Sequence, residues 1–339
     1  MRTDEIRWGI LGAGKIARVF VADLTAAGLT VSAVAARQLG RAARFARETG
    51  IPVSYGSYEE LVQDPRVDVV YIATPQPFHA DQAILAIEAG KAVLVEKSFT
   101  DNAPSAQRVV DAARRHSVFT MEAMWTRFLP TFDQVRAELA RGSIGEIRGV
   151  VTHHFQKLDD SPTGRHYDPT LCGGVVADLG VYGVSLAFHL LGAPHEIIAE
   201  GSVTPSGVDT SASVVMRHGE GRTSTTLTAM DTPGPNSAAV IGTDGWIDLD
   251  PYWFGPTGFT VYDAGRPGSP VRRFDPPVIS GRGMHFQALE VERRLRSGEL
   301  ESPLMPLAES VEVMGALDEI RRQAVTASAS HLEPAGRRS

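Results

Sequence analysis

Residues 6–20 read "IRWGILGAGKIARVF", and this stretch decides the fold. Ile6 to Leu11 is a short apolar run of strand type, and the residues from Lys15 onward carry helical spacing. Between them "GAGKIA" places Gly12, Gly14 and Ala17 at the three small positions of a dinucleotide fingerprint. Gly12 permits the tight turn, Gly14 lets a pyrophosphate approach the backbone, and Ala17 lets the helix lie close to the sheet. Lys15 and Ile16 complete the turn at the helix N-terminus, which favours phosphate. Glycine turns in surface loops produce the same pattern by chance, so its context carries the weight.

That context is a βα repeat. Strands are expected at "LTVSAVAA", "VDVVYIAT", "AVLVE" and "VFTM", and helices at "KIARVFVADLTAA", "GRAARFARET", "HADQAILAIEA" and "PSAQRVVDAARRH". Gly50 and Gly90 follow helical runs as stop signals, and Pro104 after Asn102 suits a first helical turn. Continuous apolar strands indicate a parallel sheet buried on both faces, hence a doubly wound α/β domain of Rossmann type over residues 1–123. An NAD enzyme places an acid about 20 residues after the fingerprint to hold the ribose 2′-hydroxyl. Here that place holds Arg37, with Arg41 one turn on, which suits a 2′-phosphate and makes NADP the expected cofactor, NAD the second choice. Two solvated arginines at a helix start are the bland alternative.

Ligands of such sheets bind beyond the carboxyl ends of the strands. Thr74 and Pro75, His79 at the next helix start, and Glu96 and Lys97 after "AVLV" all fall there. Beyond Trp125 the pattern changes to a helix at "PTFDQVRAELARG" and alternating segments at "EIRGVVTHHF", "SASVVMRH", "TSTTLTAM", "SAAVIGTDGWIDL" and "GFTVYDAG". They predict an α+β domain over 124–330, built on a largely antiparallel sheet with one open face. Helical spacing at "MHFQALEVERRLRSG" and "LAESVEVMGALDEIRRQAV" closes the fold, and "TASASHLEPAGRRS", above all 331–339, reads as a frayed tail.

Composition narrows the partners. The chain has 339 residues, 43% hydrophobic and 22% charged, with 33 basic against 40 acidic side chains and one cysteine. With a formal charge of -7 and no basic stripe, nucleic acid is not an expected partner. No basic segment followed by an apolar one opens the sequence, and no apolar run is expected to reach membrane-spanning length, so the cytoplasm is the expected location. Adjacent His153 and His154 point to opposite sides of a strand, and no cysteine pair or HExxH accompanies them, so no metal is expected. Cys172, alone among glycines and with no assigned base, reads as a packing residue, a nucleophile being the alternative.

"GILGAGKIA", "ATPQPFH", "VEKSF" and "GGVVADLGVYG" resemble the glucose-fructose oxidoreductase, inositol dehydrogenase and rhizopine-catabolism family (Gfo/Idh/MocA). "VAARQLGRAARFA", "MEAMWTRFLP" and "ESPLMPLAES" look most like its dimeric dihydrodiol dehydrogenase and NADP-dependent D-xylose dehydrogenase branch. Family members carry Glu-Lys-Pro where this chain has Glu96, Lys97 and Ser98, a departure that adds a donor and a hydroxyl. The resemblance implies that Lys97 orients a substrate hydroxyl and tunes the proton-transfer group. It also implies that Tyr182, standing where much of the family has histidine, moves the proton. Free tyrosine and lysine both titrate near pH ~10, and a neighbouring cation favours phenolate. A packed tyrosine is the alternative. Asp178, four residues earlier and on the same face if the stretch is helical, holds a second hydroxyl or caps the helix.

In the resembling branch, Trp125, Arg127 and Phe128, which follow Glu122, border the substrate pocket; interdomain core is the alternative for the aromatics. Arg165 begins a segment with His166 and Tyr167 that reads as an active-site loop or a solvated turn. The resemblance further implies a homodimer or higher homo-oligomer through the open sheet face. The expected function is hydride transfer between NADP and a hydroxyl-bearing carbon of a sugar, cyclic polyol or trans-dihydrodiol. A redox-neutral glycoside-cleaving enzyme with retained nicotinamide and a non-catalytic NADP sensor are the alternatives.

Overall fold

Four-residue runs such as Val69–Ile72, buried at every position, form sheets only where both faces are covered. The computed structural model describes residues 5–158, 164–265 and 268–332, and the chain divides into two compact units. In the first, β1 (Arg7–Leu11), α1 (Lys15–Ala26), β2 (Thr30–Ala35), α2 (Leu39–Thr49), β3 (Val53–Tyr55), α3 (Tyr58–Val62), β4 (Val69–Ile72), α4 (His79–Glu88), β5 (Ala92–Glu96), α5 (Ala103–His116) and β6 (Thr120–Ala123) alternate along the chain. The strands pair in parallel in the order β3-β2-β1-β4-β5-β6. The order reverses between β1 and β4, the switch point where such sheets bind ligands.

Local signals act as expected. Gly50 ends α2 at φ 76° and Gly90 follows α4 at φ 73°, while Asn102 accepts the Ser105 N–H at 2.8 Å to start α5. Neither β3 nor α3 is anticipated by the pattern, because three and five residues are too few to show a period. β6 runs two residues later than the apolar run "VFTM" suggests.

The second unit holds α6 (Pro130–Ala140), β7 (Ile147–Phe155), α7 (Val181–Leu191) and β8 to β14: Glu196–Val203, Asp209–Arg217, Thr223–Ala229, Ala238–Gly242, Gly245–Leu249, Phe259–Asp263 and Pro270–Phe274. They form an eight-stranded sheet, β14-β13-β12-β11-β7-β10-β9-β8, in which only β7 and β10 run parallel. β8 and β14 escape the sequence pattern, and "SAAVIGTDGWIDL" proves to be two strands, β11 and β12. α7 lies so close to one face that a Cβ at Gly183 would sit 2.4 Å from the Thr152 hydroxyl. The other face carries exposed Ile198, Val215, Leu227 and Ile241.

Val278–Val311 belongs to the first unit, and the first division falls after Leu129, whereas the sequence assigns 124–330 to one domain. Hydrogen bonds explain the return. Trp8 donates its indole N–H to Glu292 on α8 (His285–Arg296) at 3.1 Å, the Thr120 N–H reaches the Leu300 carbonyl at 3.1 Å, and buried Asp23 accepts the Arg282 and Met284 N–H groups. α9 (Leu307–Leu332) continues well into the expected tail, and residues 333–339 lie outside the described residues. One further expectation fails. Pro169–Leu191 is long and apolar enough by composition to cross a membrane, but 83% of its window is buried inside the protein, as befits a core segment.

Candidate active site

The β1–α1 turn is built for a dinucleotide. Gly12 has φ 103°, and a Cβ there would lie 2.8 Å from the Ala73 carbonyl oxygen, so the chain itself demands glycine. Gly14 differs: its φ is an ordinary −96°, and the nearest atom to a Cβ would be 3.9 Å away. Nothing within the chain requires glycine here, whereas a group approaching the backbone does. Gly14 caps α1 without a side-chain hydrogen bond, no acid stands in the first turn, and Ala17 is fully buried. These N–H donors and the space above Gly14 fit a pyrophosphate. Lys15 is exposed and Ile16 half-buried beside them.

Arg37 and Arg41 are exposed at the start of α2 and make no ion pair among the described residues. The Arg37 guanidinium lies 6.0 Å from the Phe78 ring centre. Both cations act on Tyr58: burial raises its phenol, and the two guanidinium charges work against that rise. Free positive charge at the N-terminal end of a helix suits an anion.

At the ends of β4 and β5 the chain is tied by side chain to backbone. Thr74 donates its hydroxyl to Gln82 at 2.6 Å, and Pro75 leads into a single turn at Gln76–Phe78. His79, expected near the cofactor, is buried and acts as a strut. Its Nε2 lies 2.9 Å from the Thr74 carbonyl oxygen, and its Nδ1 lies 3.1 and 3.3 Å from those of Ser98 and Phe99. Burial lowers its pKa against the pull of these carbonyls, and the Lys97 cation lowers it further. Glu96 is buried and accepts the Tyr71 hydroxyl, whose ring stacks on Phe20. Lys97 is half-buried, and the Lys97–Ser98 peptide bond is cis.

Trp125, Arg127 and Phe128 share one helical turn after β6. Trp125 is half-buried, whereas Arg127 and Phe128 are buried. Arg127 reaches Glu309 at 2.5 Å and the Leu304 carbonyl at 3.1 Å, a position set by packing within the first unit. Glu122, on β6 three residues before Trp125, is completely buried, and neither of its oxygens has a hydrogen-bond partner among the described residues.

The second unit presents a different cluster. Val176–Gly180 is a π-helical turn running into α7, so the 3.6-residue period that would stack Asp178 on Tyr182 is broken between them. Asp178 is met by Arg165 at 3.4 Å and by His166 Nδ1 at 3.2 Å, which brings the Arg165–Tyr167 turn onto it. Tyr182 is 9% exposed, with ring centres of His154 and Phe254 at 5.3 and 5.6 Å; those two rings stack at 4.0 Å. His153 faces the other way, onto Ser237. Asp209 is a residue the sequence reading missed. Its carboxylate accepts the Val176 N–H at 2.6 Å, faces Arg321 at 3.6 Å and packs where Gly174, at φ 136°, leaves no room for a Cβ. It is 33 residues from Val176, and only the β9 pairing brings it there. No group of three or more metal-ligating side chains occurs among the described residues.

The chain is 39% identical to mouse trans-1,2-dihydrobenzene-1,2-diol dehydrogenase over 94% of its length and 96% of the relative's, and 38% identical to the human protein of that name with the same coverage. A 3-ketoreductase from Actinomadura kijaniata, solved in complex with NADP and TDP-benzene, superposes with a TM-score of 0.82 at 26% identity, covering 94% of this chain and 98% of that one. An aldose-aldose oxidoreductase from Caulobacter crescentus shares the fold, with a TM-score of 0.84 at 21% identity over 96% and 98% of the two chains. Residues 6–124 match the oxidoreductase family with an NAD-binding Rossmann fold, and residues 132–248 match its GFO/IDH/MocA C-terminal domain. The chain therefore belongs to the Gfo/Idh/MocA oxidoreductase family, with a nicotinamide-binding first unit and a small molecule as substrate.

Proposed function

We propose that this protein is an NADP-dependent dehydrogenase acting on a secondary alcohol of a trans-dihydrodiol, aldose or cyclic polyol. The observation that carries the reading is Lys97 at the carboxyl end of β5, in the same sheet whose switch point holds the Gly12–Gly14 cradle. Its relatives support the substrate class, since the mouse and human proteins at 39% and 38% identity carry dihydrodiol dehydrogenase names. A bound nicotinamide supplies hydride exchange with the alcohol carbon. The chain's own residues do the rest: Lys97 orients the hydroxyl, Tyr182 accepts its proton, and the backbone donors at the start of α1 hold the pyrophosphate. Arg37 and Arg41, exposed and unpaired among the described residues, favour the 2′-phosphate and hence NADP over NAD.

The exposed aliphatic row Ile198, Val215, Leu227 and Ile241 supports a second copy of the chain as the occupant of the open sheet face. Light scattering of the purified protein tests that arm: a monomeric mass at all concentrations overturns it.

The test of activity is absorbance-monitored reduction of NADP⁺ and NAD⁺ across trans-dihydrodiols, aldoses and inositols. Turnover with NADP⁺ preferred is expected. A cofactor that copurifies and is never consumed, with glycoside cleavage in its presence, replaces the dehydrogenase reading with the redox-neutral one.

A further inference from the structure

Glu122 is a buried carboxyl that the proposed chemistry does not use. It stands on β6 opposite Val95 of β5, so it lies one strand away from the chain that turns into Lys97. Its surroundings are all assembled from the first unit. The Phe99 N–H and the Ser310 hydroxyl lie toward it and, like the Arg127 charge, favour its ionised form, whereas the Glu309 charge opposes it. Ser310 is itself completely buried, and its hydroxyl makes no hydrogen bond among the described residues.

The loop that Glu122 underlies is pinned from elsewhere at three successive carbonyls. His79 faces those of Ser98 and Phe99, and Gln76 donates its amide N–H to that of Thr100. On the donor side of the loop, the Phe99 N–H sits by Glu122. A neutral acid draws only weakly on these donors and leaves the loop where the struts hold it. An ionised one pulls the Phe99 N–H and the Ser310 hydroxyl toward itself and becomes a second carboxylate competing with Glu309 for Arg127. Arg127 belongs to the Trp125–Phe128 turn, so that competition pulls on the turn as well as on the loop.

We infer that Glu122 is a positioning residue which, as the neutral acid, leaves the Lys97–Thr100 loop and the Trp125–Phe128 turn in register, and whose ionisation slows turnover. Burial, the dominant influence, raises its pKa from 4.5 to about 7, which brings the switch into the working range of the protein. The inference rests on the dehydrogenase reading for its kinetic consequence, but the protonation of Glu122 does not.

Two measurements on the full-length protein decide it. The first follows kcat and KM for the native protein and Glu122→Gln, a neutral isostere, from about pH 6 to about pH 9 at saturating cofactor. The native-to-variant ratio of kcat is expected to fall roughly tenfold across that range while the ratio of KM stays level. A ratio independent of pH overturns the proposal, because a merely structural glutamate shifts activity equally at every pH. The second is an infrared titration with isotope-labelled glutamate, which reads the protonated carboxyl directly. A labelled carboxylic-acid band present at pH ~6, lost on alkalinisation and absent from Glu122→Gln supports it; its absence from the native protein at pH ~6 overturns it, even should the variant fail to fold. Because this titration needs no substrate, a protein inert towards every alcohol tried leaves the band intact and locates the failure in the functional reading.

Discussion

The loop after β5 and the turn before α7 each carry a residue assigned to the chemistry, yet they are held in opposite ways. Lys97 stands in a loop tied by neighbours in sequence: Gln76 and His79 lie about one βα unit away, and their side chains reach the successive carbonyls of Ser98, Phe99 and Thr100. Tyr182 follows a turn held by partners remote along the chain, with Asp209 on the Val176 N–H and Arg321 behind it. His154 and Phe254 pack on the tyrosine itself. A loop of the first kind travels as a motif. A turn of the second kind exists only once the sheet has formed.

The sharpest way to break this comparison is to remove the two functional groups. Tyr182→Phe keeps the ring against His154 and Phe254, so it is expected to cut kcat by roughly a hundredfold to ten-thousandfold, with the melting temperature and cofactor affinity unchanged. Lys97→Ala is expected to cut kcat on a similar scale. A Tyr182→Phe protein that turns over normally removes the second unit from proton transfer and leaves its aromatic cluster as packing alone.

Glu122 and Asp209 sharpen the contrast, since both are buried acids whose pKa burial raises. Asp209 is given an N–H donor and an arginine, and Glu122 no hydrogen bond at all among the described residues. An acid with a folded pKa above its unfolded value binds its proton more tightly when folded, so its contribution to stability is complete below the unfolded value and lost as pH rises through the folded one. For Glu122 the window runs from 4.5 to about 7. Within it, the native protein is expected to lose about 1.4 kcal/mol per pH unit relative to Glu122→Gln, as read by denaturant unfolding. Parallel stability curves for the two proteins dispose of the buried-acid argument.

For Asp209 the test is geometric. Asp209→Ala leaves the Val176 N–H buried without its acceptor and is expected to cost about 1–3 kcal/mol. Asp209→Asn keeps an acceptor oxygen and is expected to cost less. Should both variants retain native kcat, the π-helical turn does not depend on Asp209 for its placement of Tyr182.

The same contrast explains what could be read from the sequence. The first unit was legible because its strands are continuous apolar runs and because Gly12, Gly50, Gly90 and Asn102 each act on their own immediate backbone. β3 and α3 escaped for want of length. In the second unit, β8 exposes alternate residues weakly and β14 is exposed along most of its length, so neither prints a clear period of two. Asp209 carries no local signal whatever in "VDTSAS"; its role arises from the approach of β9 to Gly174. His79 and Arg127 stand out in the sequence as polar residues beside the expected cleft, but the partners the fold gives them, backbone carbonyls and Glu309, are tertiary facts.

The two glycines of the first turn give the finest test, because they separate what the fold requires from what the ligand requires. At Gly12 an added methyl meets the Ala73 carbonyl at 2.8 Å with φ at 103°, so Gly12→Ala is expected to lower both stability and cofactor affinity, the former by at least about 1 kcal/mol. At Gly14 the backbone is in a region open to every residue, and the methyl projects into space free of protein atoms closer than 3.9 Å. Gly14→Ala is therefore expected to shift stability by only a few tenths of a kcal/mol while still weakening NADP binding, measured by quenching of tryptophan fluorescence. Equal loss of stability in the two variants would mean that Gly14 serves the fold, and the close approach of a pyrophosphate would lose its support.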